Sequence, residues 1–509
     1  MAQWTHWGGT LATRWTWLRV LALTTILAGT AACGKSPQEQ VEDARAAMAE
    51  KDYATAAVAL KNVLQEAPDN PEARVLLAQS SFALGDALAA EKELERAYEL
   101  GIDAAAHRAL HYRIQIFLGH FEEVSVALTQ EGGDDGLTAA EAATFKGQAE
   151  LGLRRAEDAE ASFRRALASD PDYGPAKVGL ARVQVLQGRR DEAVRIVDEA
   201  VVSHPDLTTA WLLKGQLNIL NGRLEAAGED LVRAVEVARE APDRPREYLA
   251  LAALTEVRIE LGDLDGAQQS LREMRAIAAS APTSLKLAAR LNIAREQYPE
   301  ARAQLQKVLA ANGDDAAALF LLGVVYLAEG DPAQAEIHLA RVVRLAPENL
   351  AARQMLARAQ LQNARPDSAV EALAPLLESE GALDPQTSFL ASQAMLQSGA
   401  TAEAVALLEK SHEADPGNMQ IAMNLGSAYL AADRPDDAVA LFESLPESDD
   451  YRRDLLLAVA YVARNEPEQA KAQIDEVLAK HPDDVAARLL VARYYFSVGE
   501  LDASRGYLE

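Results

Sequence analysis

A single cysteine in 509 residues, Cys33, leaves no pair for an intramolecular disulfide. Aromatic residues make up only 5 % of the chain, and its apolar share is mainly Ala and Leu among abundant Glu, Asp and Arg. That vocabulary suits helices and offers little to a β core. Positive charge is scarce as well: 50 Lys and Arg stand against 77 Asp and Glu, a formal charge of −27. The long-range field of such a body repels phosphate, which disfavours nucleic acid and anionic lipid as whole-surface partners while leaving room for a local basic stripe.

Signatures of catalysis are missing too. There is no Walker loop, no GxSxG, and no strand-turn-helix context for a dinucleotide. His107 and His111 lie four apart on one helical face, a spacing suited to a metal pair. The residues between them are Arg108, Ala109 and Leu110, without the Glu of an HExxH helix, so both read as surface or packing histidines. Carboxylates are plentiful but fall on solvated helix faces. The expectation is a chain with no catalytic residues, no cofactor and no metal.

What is there begins with a leader. Arg14 and Arg19 precede an apolar run from Val20 to Ala32 that ends in "GTAA". As a helix the run rises about 20 Å, short of the roughly 30 Å a spanning segment must cross, so residues 1–32 read as a signal peptide. Four of the five tryptophans lie in it, leaving Trp211 beyond. Thr30-Ala31-Ala32-Cys33 resembles a bacterial lipobox, with Thr30 where Leu is usual. The resemblance implies lipidation of Cys33, a short N-terminal spacer over 33–36, and a lipid-anchored protein of the bacterial cell envelope facing the periplasm. Gly34 follows the cysteine in place of Asp, which by the family's sorting rule points to the outer rather than the inner membrane.

From residue 37 onward one wavelength governs the chain. Gly85, Gly119, Gly188, Gly222, Gly262, Gly330, Gly399 and Gly499 mark a recurring turn. Five residues after the turn position comes a small one in nearly every copy: Ala56, Ala90, Ala159, Ala193, Ala227, Ala267, Ala301, Ala335, Ala369, Ala404, Ala438 and Ala470. Pro68, Pro171, Pro205, Pro347, Pro416 and Pro482 close the unit, since proline cannot continue a helix. This lattice resembles the tetratricopeptide repeat, whose helical hairpins recur at thirty-four residues. The resemblance implies an all-α solenoid, a right-handed superhelix of about fourteen hairpins over 37–509, with copies beginning near residues 37, 71, 105, 140, 174, 208, 248, 282, 316, 350, 385, 419, 451 and 485. The last copy stops inside its second helix at Glu509, and reads as truncated. Two irregularities, "EGGDDG" at 131–136 and "EAPDRPRE" at 240–247, are the candidate hinges or partner contacts.

In that family the ninth position of each repeat faces the concave groove. Here it carries Arg45, Gln79, Arg113, Gln148, Arg182, Gln216, Glu256, Arg290, Val324, Arg358, Gln393, Ser427, Val459 and Arg493. Glu is as good a helix former as Arg or Gln and is common in this chain, yet occupies one place in the stripe. Arg45, Gln79, Arg113, Gln148, Arg182, Gln216, Arg290, Arg358, Gln393 and Arg493 are therefore the candidate groove residues, a ladder of donors for an extended polar or anionic partner such as an acidic polysaccharide or an acidic protein segment.

The segments "KDYATAAVALKNVLQEAPDNPEAR" and "LGDALAAEKELERAYELG", between Lys51 and Gly101, are similar to the first two repeats of the tetratricopeptide lipoproteins of the PEP-CTERM/exosortase system. That likeness implies a periplasmic scaffold for protein partners, with an acidic polysaccharide as a further candidate, in an exopolysaccharide or protein-sorting assembly. Two other readings stand beside it: an outer-membrane secretion or assembly pilotin, and a regulatory subunit of a glycan-modifying enzyme.

Overall fold

The computed structural model describes residues 35–130, 136–240, 243–378, 384–446, 451–480, 482 and 485–508. Cys33 and the leader lie outside them. Among the described residues there are twenty-eight α-helices and no strand, arranged as fourteen consecutive hairpins in a tetratricopeptide-type solenoid. The chain divides at Ala279 into two compact units, where the sequence suggests one array. The period runs unbroken across the boundary, from Leu264–Ala278 to a helix opening at Pro282, so nothing in the repeat spacing marks the division.

The first unit holds α1 (Pro37–Ala49), α2 (Tyr53–Glu66), α3 (Pro71–Ala83), α4 (Ala87–Glu99), α5 (Arg108–Leu118), α6 (Phe121–Gln130), α7 (Ala139–Gly152), α8 (Ala156–Ser169), α9 (Gly174–Leu186), α10 (Arg190–Ser203), α11 (Thr208–Leu220), α12 (Leu224–Glu240), α13 (Arg244–Glu260) and α14 (Leu264–Ala278). The second holds α15 (Pro282–Ala294), α16 (Tyr298–Ala311), α17 (Ala316–Ala328), α18 (Pro332–Leu345), α19 (Leu350–Gln362), α20 (Pro366–Leu377), α21 (Pro385–Ser398), α22 (Thr401–Ala414), α23 (Met419–Ala431), α24 (Pro435–Ser444), α25 (Arg452–Ala463), α26 (Pro467–Lys480), α27 (Val485–Ser497) and α28 (Leu501–Leu508). The seventh hairpin starts at Arg244 rather than near 248. The extra residues of the 240–247 stretch are taken up by lengthening α12 and α13 to 17 residues each.

Local chemistry sets the helix boundaries. Ser36 and Thr138 each close a capping box with a Glu three residues on, and Asp52, Asn70, Asp86, Asp315, Asp331, Asn349 and Asn418 cap further N-termini through their side-chain oxygens. The eight turn glycines all adopt positive φ, and in the other six hairpins Lys51, Arg154, Glu296, Ala364, Asp433 and Asn465 take the same left-handed conformation. The fold demands that conformation at every hairpin, whatever residue is supplied. All twelve alanines of the recurring small position are fully buried, and Val124 and Ser504 fill the equivalent place in the third and fourteenth hairpins.

Packing within each unit is serial. One core draws Val41 and Ala44 from α1, Leu60 and Val63 from α2, and Ala73 and Leu77 from α3. Another joins Leu285 and Ala289, Leu305 and Val308, and Leu322 and Val325 from α15, α16 and α17. Each helix thus shares its apolar face with the next hairpin, as a repeat array must. In the second unit a polar motif reinforces this stacking. The Tyr429 hydroxyl donates to Glu409 (3.0 Å) under the Arg434 guanidinium, and the Tyr461 hydroxyl donates to Glu443 (2.6 Å) under that of Arg464. Burial first, then the Glu409 carboxylate, pushes the Tyr429 phenol up to about 12. At Tyr461 the order is reversed, the hydrogen bond to Glu443 leading and burial following, and the phenol again stands at about 12.

Gly426 on α23 faces Phe442 on α24 so closely that a Cβ would lie 2.1 Å from the ring. Gly426→Ala is expected to destabilise the second unit by about 1–3 kcal/mol in urea unfolding. Ala364→Gly, which relieves a left-handed alanine, should stabilise it by up to about 1 kcal/mol in the same assay. The tyrosine pairs give a pH signature. Their phenols lose protons at higher pH when folded, so the stability they contribute is intact below the unfolded value of 10.0 and is lost as the pH rises toward about 12. Phenolate absorbance on alkaline titration should show a component rising near 12 that the Tyr429→Phe, Tyr461→Phe double variant lacks.

Candidate functional site

On twelve of the fourteen first helices the ninth-position residue lies between two buried neighbours and turns away from the hairpin core, Arg45 and Arg493 being the exceptions. In the first unit Arg113 follows buried Tyr112 and precedes buried Ile114, and Arg182 sits in the same way between Ala181 and Val183. Thr144 lies one helical turn before Gln148, and Val178 one turn before Arg182, so each helix contributes two residues to one face. These side chains meet in a cavity of about 300 Å³ lined by Arg113, Thr144, Gln148, Tyr173, Arg182 and, from outside the stripe, Arg246.

Arg246 reaches the cavity from the first turn of α13. Asp243 caps α13, accepting the Arg246 backbone N–H at 3.1 Å, and its carboxylate also pairs with the Arg246 guanidinium. Pro245 covers the turn of the second hairpin at Gly85, where a Cβ on the glycine would stand 3.6 Å from the proline ring. A crevice of about 190 Å³ between this turn and the first two hairpins is lined by Asp52, Tyr53, Leu84, Arg239, Asp243 and Glu247. Behind it Arg239 grips two carboxylates, Glu247 at 2.8 Å and Glu273 at 2.5 Å. The 240–247 irregularity is thus tied to the body of the first unit. Of the other irregular loop, 131–135 lies outside the described residues; Gly136 adopts φ +90° with its Cα against the Ala105 carbonyl, where a Cβ would collide at 1.9 Å.

Three guanidinium groups outnumber two carboxylates, Asp206 and Asp243, in the lining of the cavity. Arg113 and Arg182 are open to solvent yet lie deep within a concave wall. That wall, and next the charge of Arg246, hold both guanidinium pKa values below the ordinary arginine range. Both remain protonated at neutral pH. Neither makes an ion pair or hydrogen bond among the described residues; Arg113 instead lies over the Phe82 ring at 5.4 Å. Burial also pushes the Tyr173 phenol up. The Thr144 hydroxyl, in a residue 2 % exposed, is buried without a hydrogen-bond partner.

The remaining stripe residues are placed differently. Arg45 pairs with Glu72. Gln79 lines a neighbouring cavity of about 410 Å³ with Phe82, His107 and Arg113, and Gln216 is exposed on α11. In the second unit Arg290, Arg358, Gln393 and Arg493 keep the ninth position on α15, α19, α21 and α27. His111 packs between Tyr98 and Tyr112, with ring centroids 6.0 and 5.5 Å away, and burial lowers its pKa. Sequence reasoning missed Arg246, Asp243, Thr144 and Tyr173 as partners of the stripe. The insertion that carries Arg246 was visible as a break in the period, but its direction depends on the curvature of the hairpin stack.

Family models of the tetratricopeptide repeat match residues 47–111, 150–217, 326–386 and 395–453, with two further models of the same repeat matching 286–349 and 455–509, and 208–240. No curated protein matches the chain in sequence. Among solved structures, the Cut9–Hcn1 hetero-tetramer of APC/C is similar at 16 % identity over 93 % of this chain and 98 % of that one, with a TM-score of 0.46. PilF of Pseudomonas aeruginosa is similar at 20 % over 43 % and 97 %, with a TM-score of 0.37. Yeast Tom70 is similar at 16 % over 89 % and 93 %, also with a TM-score of 0.37.

Proposed function

This chain belongs to the tetratricopeptide-repeat family, a scaffold for protein–protein interaction, and from that we propose that it is a non-catalytic, lipid-anchored periplasmic scaffold of an exopolysaccharide and protein-sorting assembly. The observation that carries a binding rather than a catalytic role is the stripe itself. First helices present Arg and Gln toward the groove of a strongly acidic chain, a row of donors matched to an extended acceptor-rich partner. The lipobox-like Thr30–Cys33 segment supports the anchor, and the two opening repeats support the type of assembly. The partner is an acidic protein segment or an acidic polysaccharide, and the lipid on Cys33 holds the scaffold at the membrane, the outer one by the Gly34 sorting rule.

Two measurements test this reading. In the native bacterium, fatty-acid labelling should mark the chain and fractionate it with membranes, and Cys33→Ser should release it to the aqueous fraction. Recovery of unlabelled, soluble wild-type protein would refute the anchor. Capture from membranes should recover an envelope protein or acidic glycan, and Arg182→Glu, Arg290→Glu and Arg358→Glu together should lower its retention at least tenfold. Unchanged retention in the triple variant would show that the stripe is not the contact.

A further inference from the structure

We propose that the cavity framed by Arg113, Arg182 and Arg246 is a binding site for a compact oxyanion carrying at least two negative charges, a phosphoryl or polycarboxylate group, which bridges the start of α13 to the wall of the groove. The site does not depend on the lipid anchor or on the identity of the assembly.

Donors without acceptors make the case. Three guanidinium groups from α5, α9 and the start of α13 line one space of about 300 Å³. Two carboxylates share the lining: Asp243 is engaged with Arg246, and Asp206 pairs with no guanidinium among the described residues. Arg113 and Arg182 therefore make no ion pair inside a concave wall, Arg113 being offset only by the field of Asp243 beyond ion-pair distance, in a protein with acidic groups to spare elsewhere. Around them the Gln148 amide and the Tyr173 hydroxyl make no hydrogen bond among the described residues, and the Thr144 hydroxyl is buried and unpartnered. A buried hydroxyl without an acceptor is a cost that a native fold seldom carries without a reason. Burial first, and then the like charge of Arg246, disfavours the charged form of both guanidinium groups. An oxyanion removes the conflict in one step: guanidinium forks donate to its oxygens in pairs, and the neutral donors complete its shell.

The placement of Arg246 gives the ligand a structural role. Arg113 and Arg182 belong to the wall, whereas Arg246 belongs to the first turn of α13, so an anion held by all three ties α13 to the wall.

Calorimetric titration of the purified chain with inorganic phosphate, and separately with citrate, at fixed ionic strength is the test. Saturable binding of at least one probe is expected, with the affinity reduced tenfold or more by Arg182→Gln and by Arg246→Gln. Which probe binds separates a phosphoryl from a carboxylate ligand. Circular dichroism should show both variants folded, and in the absence of anion Arg182→Gln should not melt below the wild type, because it removes a like charge from the cavity; Arg246→Gln, which also breaks the pair with Asp243, is compared with its own anion-free melt. With saturating anion the wild-type melting temperature should rise and those of the variants should not. Failure of both probes to saturate at millimolar concentration, or equal affinity in wild type and both variants, would overturn the proposal.

Discussion

The closeness of the two helices in each hairpin is the constraint on which the rest depends. It is set where one fully buried small residue of the second helix meets the first helix, at Ala56 in the first hairpin and at the equivalent alanine of eleven others. A larger side chain there would push the helices apart, and the shared cores on either side would lose contact together. The same closeness dictates the turn. Helices this near are joined in a few residues only by a left-handed step, so Ala364 and Glu296 accept a conformation that Gly330 adopts freely.

Seriality explains why polar chemistry gathers on one face. The second helices and the buried sides of the first are committed to neighbours, which leaves the ninth position of each first helix as the recurring place where a side chain meets solvent inside the curve. A ladder of donors at that position costs little folding energy, since the residues are good helix formers and none is forced into the core. Its chemical character depends on what lies opposite. At Arg45 the answer is Glu72, an exposed pair of small energetic weight. At Arg113 and Arg182 it is another cation, brought there by the first turn of α13, two hairpins beyond Arg182 and four beyond Arg113.

Much of the architecture was legible in the sequence because it is written locally. Glycine at the turn, alanine five residues on and proline after the second helix locate thirteen of the fourteen hairpins to within a few residues, and the structure moves only the seventh appreciably, to Arg244. The six turns without glycine were unmarked, since Lys51 or Asn465 in a left-handed conformation looks like any polar residue between helices. The division at Ala279 was invisible because the period does not change there. The site was half legible. Spacing placed Arg113, Gln148 and Arg182 on equivalent faces, but the partnership with Arg246, 64 positions beyond Arg182 by residue number, is a product of curvature. Hydrophobic periodicity encodes each contact between neighbours and is silent on how a succession of them closes back on itself.

The start of α13 alters the terms on which anything long can lie along the first unit. With Pro245 seated on Gly85 and Arg239 joined to Glu247 and Glu273, a segment of the same chain already occupies part of the surface beside the opening hairpins. A filament laid along Arg113 and Arg182 shares that space with a side chain fixed to the scaffold itself, so the cross-section it can present there is set by Arg246.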